Sequence, residues 1–350
     1  MRAHRGFSIA LRIAGGVLAG VLASEVAFRV FVTPGLSPRP DAIADSFNAR
    51  TYERRQIDEG VARSHFSAAG ARLTGNPPLQ KLPPALVLGD SYVEAEQVSD
   101  RQTMGSWLER LARENGVPLD VRQFGWLGAS PAQYLLIADT LRKRWTPSHV
   151  FIVLSANDFD KDALVFAQPS LRVAEDGTLR LIGEPIRPVS AKPPRGSALM
   201  TLARRRWELL GRRYPLLQRA KPKPVAVTAL ASPAEPLPDS LEYARAPEAI
   251  VRALHEAYGA SLTLVYLAEI RLKGDQKAPQ IESAFTDACA RVRVRCVSTR
   301  EAMLAAYRDG HVGHGAGVAP IGNGHLNAAG HEVLGRMMWE IIAPQSPGAR

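Results

Sequence analysis

The run Pro84-Ala-Leu-Val-Leu-Gly89 limits what this chain can become more than any other segment. It is apolar throughout, too short to fill a helix and closed by a glycine, so it reads as a strand covered on both faces. Such strands lie in parallel sheets, whose neighbours need helical crossovers between them. The sequence that follows supplies the alternation. A helix is expected near Thr103 to Asn115, a strand near Val121 to Trp126, a helix near Pro131 to Arg144 and a strand at His149 to Ser155. Past a long insertion come a helix near Pro247 to Tyr258, a strand at Ser261 to Leu267, a helix at Ile281 to Val292, a strand at Val294 to Val297 and a last helix at Ala328 to Ile342. Strands alternating with helices in this way define a three-layer α/β/α sandwich around a parallel five-stranded sheet. In such sheets chemistry gathers at the carboxyl ends of the strands.

Ahead of this domain, Phe7 to Val32 is almost wholly apolar, preceded by Arg2 and Arg5 and interrupted by Arg12, Glu25 and Arg29. As one helix rising about 1.5 Å per residue it would be roughly 39 Å long, enough for a transmembrane helix. The uncharged stretch Ile13 to Ser24 also has the length of a signal-peptide core, with Val21-Leu22-Ala23 as a cleavage site. Apolar residues continuing to Val32 favour the anchor. In both readings residues 1–6 stay cytoplasmic and the folded domain is sent across the membrane, to an extracytoplasmic, periplasmic location. Gly16 and Gly20 stand at the GxxxG spacing that packs helix pairs, so a homodimer through this helix is one expectation. Residues 33–83, rich in Pro, Ala, Arg and Gly, read as a linker in which Tyr52 to Val61 looks mildly helical, and residues 84–345 as the domain proper.

The insertion, at about 164–241, differs in composition from what surrounds it. It holds a hairpin signal at Glu175-Asp-Gly177, an arginine-rich helical stretch from Ala198 to Arg213 and a Pro-rich stretch from Lys221 to Pro238. The chain carries a formal charge of +10, and Lys192 to Lys223 alone holds ten basic residues against Glu208. The remainder is nearly neutral, which argues against a nucleic-acid partner. A local basic segment suits an anionic surface or polymer, or is a solvated helix face. The two cysteines, Cys289 and Cys296, form neither a disulfide framework nor a CxxC signature. They either pair across a helix end and the next strand or remain buried thiols.

Four short blocks stand where the strand ends bring a site together. Gly89-Asp90-Ser91 follows the first strand, and a serine in a strand-to-helix turn aims its backbone N–H, and the local dipole, at the site. Gly125-Trp-Leu-Gly128 follows the second strand, where glycine permits close approach of a backbone N–H to a ligand. Ser155-Ala-Asn157-Asp158 ends the third and offers an amide donor to a carbonyl oxygen that becomes negative. Gly322-Asn323-Gly324-His325-Leu326-Asn327 leads into the last helix and carries a histidine able to serve the first strand's serine. A competing reading takes His311 and His314 as zinc ligands by spacing. Their glycine-rich surroundings lack carboxylates after Asp309, so no metal is expected. There is no P-loop, no GxGxxG and no GxSxG elbow, and no cofactor is implied.

In order and placement the four blocks resemble the SGNH (GDSL-like) hydrolase superfamily over about Leu86 to Met338, as a membrane-anchored member. The resemblance implies a flavodoxin-like fold and a serine esterase forming an acyl-serine. It makes Ser91 the nucleophile, His325 the general base, and the Ser91 N–H, the Gly128 N–H and the Asn157 side chain the oxyanion hole. The substrate would be an O-acylated glycan, or an acyl lipid as the second choice, with transfer to a sugar hydroxyl as the alternative to hydrolysis. One departure stands out. The family's acid two or three residues before the histidine is missing, since Gly322 and Asn323 occupy those places. Asn323, a backbone carbonyl or the more distant Asp309 would then orient His325, or the chain is a tethered, non-catalytic glycan-binding module.

Overall fold

The computed structural model describes residues 12–13, 15–26, 52–56, 62–67, 70–77, 82–126, 128–160, 162–166, 169–183, 238–270, 279–315, 321–322 and 324–343. By its contacts the chain divides into two units, residues 1–36 with 190–231 and residues 37–189 with 232–350. In the first, residues 15–26 are helical. Among the described residues no helix is long and apolar enough to cross a membrane. The remainder of Phe7 to Val32 and the arginine-rich stretch Ala198 to Arg213 lie outside the described residues.

The second unit contains the sheet. Its strands are β3 (Ala85–Gly89), β4 (Val121–Gly125), β5 (His149–Leu154), β8 (Leu262–Tyr266) and β9 (Arg295–Ser298), all parallel, in the order β4-β3-β5-β8-β9. This is the 2-1-3-4-5 order of a doubly wound fold, which reverses between β3 and β5. Ala85, Leu86, Val87 and Leu88 are completely buried, as the apolar run requires. Each of the larger three contributes about 1.5–3 kcal/mol by leaving water. The helices are α1 (Ser91–Glu94), α2 (Met104–Glu114), α3 (Pro131–Trp145), α4 (Ser240–Tyr258), α5 (Gln280–Val292), α6 (Arg300–Arg308) and α7 (Ala328–Ile342). α7 packs on α2 and α6, while α3, α4 and α5 pack together, which gives the two helical layers of an α/β sandwich.

Several elements depart from the sequence expectation. The expected helix at Tyr52 to Val61 is a strand where it is described: β1 (Tyr52–Gln56) pairs antiparallel with β2 (Ala62–Phe66), so strand pairing overrides a weak local preference, and residues 57–61 lie outside the described residues. Part of the expected linker is laid against the domain. The Arg72 N–H donates to Gln123 O on β4 at 2.8 Å, and Thr74 Oγ1 and Asn76 Nδ2 donate to Glu109 Oε2 on α2 at 2.6 and 2.7 Å. α4 begins seven residues before Pro247, capped by Asp239 and tied to the β6 (Ser170–Val173) and β7 (Leu179–Ile182) hairpin through Glu242 and Arg172 at 2.8 Å. α6 was not foreseen. Cys289, on α5, and Cys296, on β9, form a disulfide.

Candidate active site

β3 ends at Gly89, and the chain turns at Asp90 into the single helical turn α1. The Asp90 side chain caps it by accepting the Tyr92 N–H at 2.9 Å, which leaves Ser91 as its first residue. Space for this turn comes from β4. A Cβ added at Gly125 would collide with the backbone nitrogen of Glu94, so any side chain there would push α1 off the sheet. Glycine at the end of β4 is therefore a packing requirement of the serine turn, one strand away.

His325 reaches Ser91 from the loop before α7, with Nε2 2.8 Å from Ser91 Oγ, although 234 residues separate them in sequence. The histidine loop is held at several points. Its residue Leu326 bridges His314, and the Gly315 N–H donates to His325 O at 3.0 Å. Asn327 caps α7 by accepting the Gly330 N–H at 3.1 Å, and its Nδ2 donates to Val312 O at 2.7 Å. Gln97 Nε2 donates to Leu326 O at 2.7 Å, a direct tie between the serine segment and the histidine loop. The Tyr92 ring lies against the His325 ring with centroids 5.3 Å apart.

The oxyanion candidates stand beside this pair. In the sheet register Gly89 faces Gly125 and Leu88 faces Ile152, so Ser91, Gly128 and Asn157 leave the carboxyl ends of three adjacent strands. Gly128 is exposed with φ of 73°, which favours glycine, and a Cβ there would meet open space. Asn157, in the 3-10 turn Ala156–Phe159 after β5, is exposed. Among the described residues the Ser91 N–H, the Gly128 N–H and the Asn157 carboxamide have no hydrogen-bond partner. Three donors that follow adjacent strand ends are thus unengaged.

Burial pushes the Asp90 carboxyl up to about 6, against the pull of the Tyr92 N–H and of a charged His325. Of the other histidines, His314 is held below its usual value by burial and by His325, and His331, fully buried in α7, is driven down to about 3 by burial. Both are neutral at physiological pH. His311 is exposed, and among the described residues no three His, Cys, Asp or Glu side chains are grouped to hold a metal ion. Asp309 is the exposed C-cap of α6, and Asn323 lies outside the described residues. Sequence reasoning did not pick out Gln97, Asn327 or the capping role of Asp90. The Asn-x-x-Gly spacing before α7 was the one local signal available for Asn327.

The sequence matches no protein-family model and no curated protein. Among solved structures the chain is similar to a lipase/acylhydrolase from Enterococcus faecalis, at 14% identity over 74% of this chain and 95% of that one, with a TM-score of 0.40. It is similar to an acetyl xylan esterase from Geobacillus stearothermophilus, at 12% identity over 75% and 94% with a TM-score of 0.40. A member of the lipolytic protein G-D-S-L family from Veillonella parvula DSM 2008 gives 11% identity over 74% and 97% with a TM-score of 0.37. Likenesses this distant concern the course of the chain and decide nothing about its chemistry.

Proposed function

We propose that this chain is a serine esterase of the SGNH type. The observation that carries the reading is the 2.8 Å contact between His325 Nε2 and Ser91 Oγ, beside three unengaged donors at adjacent strand ends. His325 takes the Ser91 proton as Oγ attacks an ester carbonyl, and the tetrahedral oxyanion is held by the Ser91 and Gly128 N–H groups and the Asn157 amide. His325 then protonates the leaving alkoxide. Water, deprotonated by the same imidazole, releases the acid from the acyl-serine; a sugar hydroxyl in its place makes the reaction a transfer.

Our reading of the substrate is an extracytoplasmic O-acylated glycan, with the chain anchored by its N-terminal apolar segment. Two features support it. The Cys289–Cys296 disulfide suits an oxidising compartment, and the basic stretch from Lys192 to Lys223 suits an anionic polymer or surface. The test is the full-length protein with a fluorophosphonate probe and short activated esters. Labelling at Ser91 and hydrolysis lost in Ser91→Ala, with an unchanged melting temperature, are expected. Equal rates for wild type and Ser91→Ala would remove Ser91 from the reaction; a wild type that neither labels nor hydrolyses would leave a non-catalytic binding module.

A further inference from the structure

We propose that Arg72, which lies outside the α/β core in sequence, is a positioning residue for the nucleophile turn and makes residues 62–67 and 70–77 part of the catalytic unit. The inference rests on the acyl-serine reading above.

α1 is one turn long, below the length at which a helix holds itself. Its own bonds are the Val93 and Glu94 N–H groups to Asp90 O and the Ala95 N–H to Ser91 O. The Val93 and Glu94 carbonyls at its far end are orphans by geometry in buried residues and need donors from elsewhere, while Ala95 O already accepts the Val98 N–H at 3.2 Å. Two side chains supply them. Gln123 Nε2, from β4, donates to Val93 O at 2.5 Å. Arg72 supplies the other and ties down the turn that follows: Nη1 donates to Glu94 O at 2.6 Å and to Ala95 O, and Nη2 donates to Val98 O at 2.6 Å. Arg72 is itself almost completely buried, and Asp100 faces its Nε at 3.4 Å. Asp100 is held in turn by His65 of β2, through Nδ1 at 2.5 Å and the backbone N–H at 3.0 Å.

A guanidinium suits this place because its planar fork can serve several carbonyls at once, whereas an ammonium is a single point donor. The bonds are charge-assisted and dry, so they fix the turn firmly. Ser91 lies at the opposite end of the same four residues. Attack geometry is sensitive to displacements of about 1 Å, which can lower a rate on the order of 10²-fold. Loosening the far end of α1 therefore moves the nucleophile relative to His325, whose loop is anchored separately.

The experiment compares full-length wild type with Arg72→Lys, measuring ester turnover, the rate of fluorophosphonate labelling and melting temperature. Expected is a folded variant whose kcat and labelling rate fall on the order of 10- to 100-fold while KM stays within about twofold, because binding surfaces are untouched. Asp100→Asn keeps the guanidinium but weakens its anchor and should lower kcat by a few-fold at constant KM; it replaces Arg72→Lys should that variant fail to fold. A folded variant with wild-type kcat, or a loss of activity no larger than the unfolded fraction, overturns the proposal. Wild type that neither hydrolyses nor labels overturns the acyl-serine reading instead, and this one with it.

Discussion

At the scale of single residues the site separates groups that act from groups that hold. On the acyl-serine proposal Asn157 belongs to the first kind. Its amide is exposed and unengaged among the described residues, and in that mechanism it gains its full interaction only once the carbonyl oxygen is negative. Asn157→Ala should lower kcat by about 10²- to 10³-fold with little change in KM; an effect confined to KM would remove it from the oxyanion hole. Asp90 belongs to the second kind. Its carboxyl is raised to about 6 by burial, above the ordinary 3.8, so the folded state prefers it protonated and loses stability as pH rises from about 4 through 6. Asp90→Asn keeps an acceptor for the Tyr92 N–H without the charge. Its melting temperature relative to wild type should therefore rise across that window and level off above it. A difference that does not vary with pH would assign the effect to packing. Ser91 and His325 were legible in the sequence because each sits in a short block of unusual residues at an expected strand or helix end. Arg72 and Gln97 were not, since their partners lie 22 to 229 residues away and neither belongs to a local pattern.

At the scale of elements, the segment 324–327 that carries His325 is held from both sides, by α7 through Asn327 and by the serine segment through Gln97. Asn327→Ala removes a helix cap worth about 1 kcal/mol and the donor to Val312 O together. A fall of about 2–4 °C in melting temperature is expected for a domain of this size, with turnover reduced as well. Asn327→Asp keeps the acceptor for the Gly330 N–H but not the donor. It should recover most of the stability and little of the turnover; recovery of both would show that the donor is idle. Most of the sheet could be read in advance because a strand buried on both faces is apolar at every position. Elements set by partners escaped that reading. β1, of sequence Tyr-Glu-Arg-Arg-Gln, is defined by pairing with β2, and the first half of α4 runs through Pro247 under the hold of Arg172 on Glu242.

At the scale of the molecule, the disulfide joins the end of α5 to β9 at a sequence separation of 7, a closure worth roughly 2 kcal/mol in the chain-entropy account. The double substitution Cys289→Ala, Cys296→Ala should lower the melting temperature by about 4–8 °C. In the native protein neither thiol should alkylate before reduction, and alkylation of the unreduced protein would show that the pair is open. The two borders of the sheet meet different fates. At β4 the border is covered where Arg72 bridges Gln123 in antiparallel fashion, so its ladder groups there are already engaged. At β9 the border strand has four residues, begins with an exposed arginine and is tethered by the disulfide to the helix beside it. Borders that are capped, short or charged give another chain little to pair with, which is how sheet proteins resist edge-to-edge aggregation. The residue proposed to steady the serine turn with its side chain thus also closes one seam of the sheet with its backbone, and a variant that frees residues 70–77 should become adhesive as well as slow.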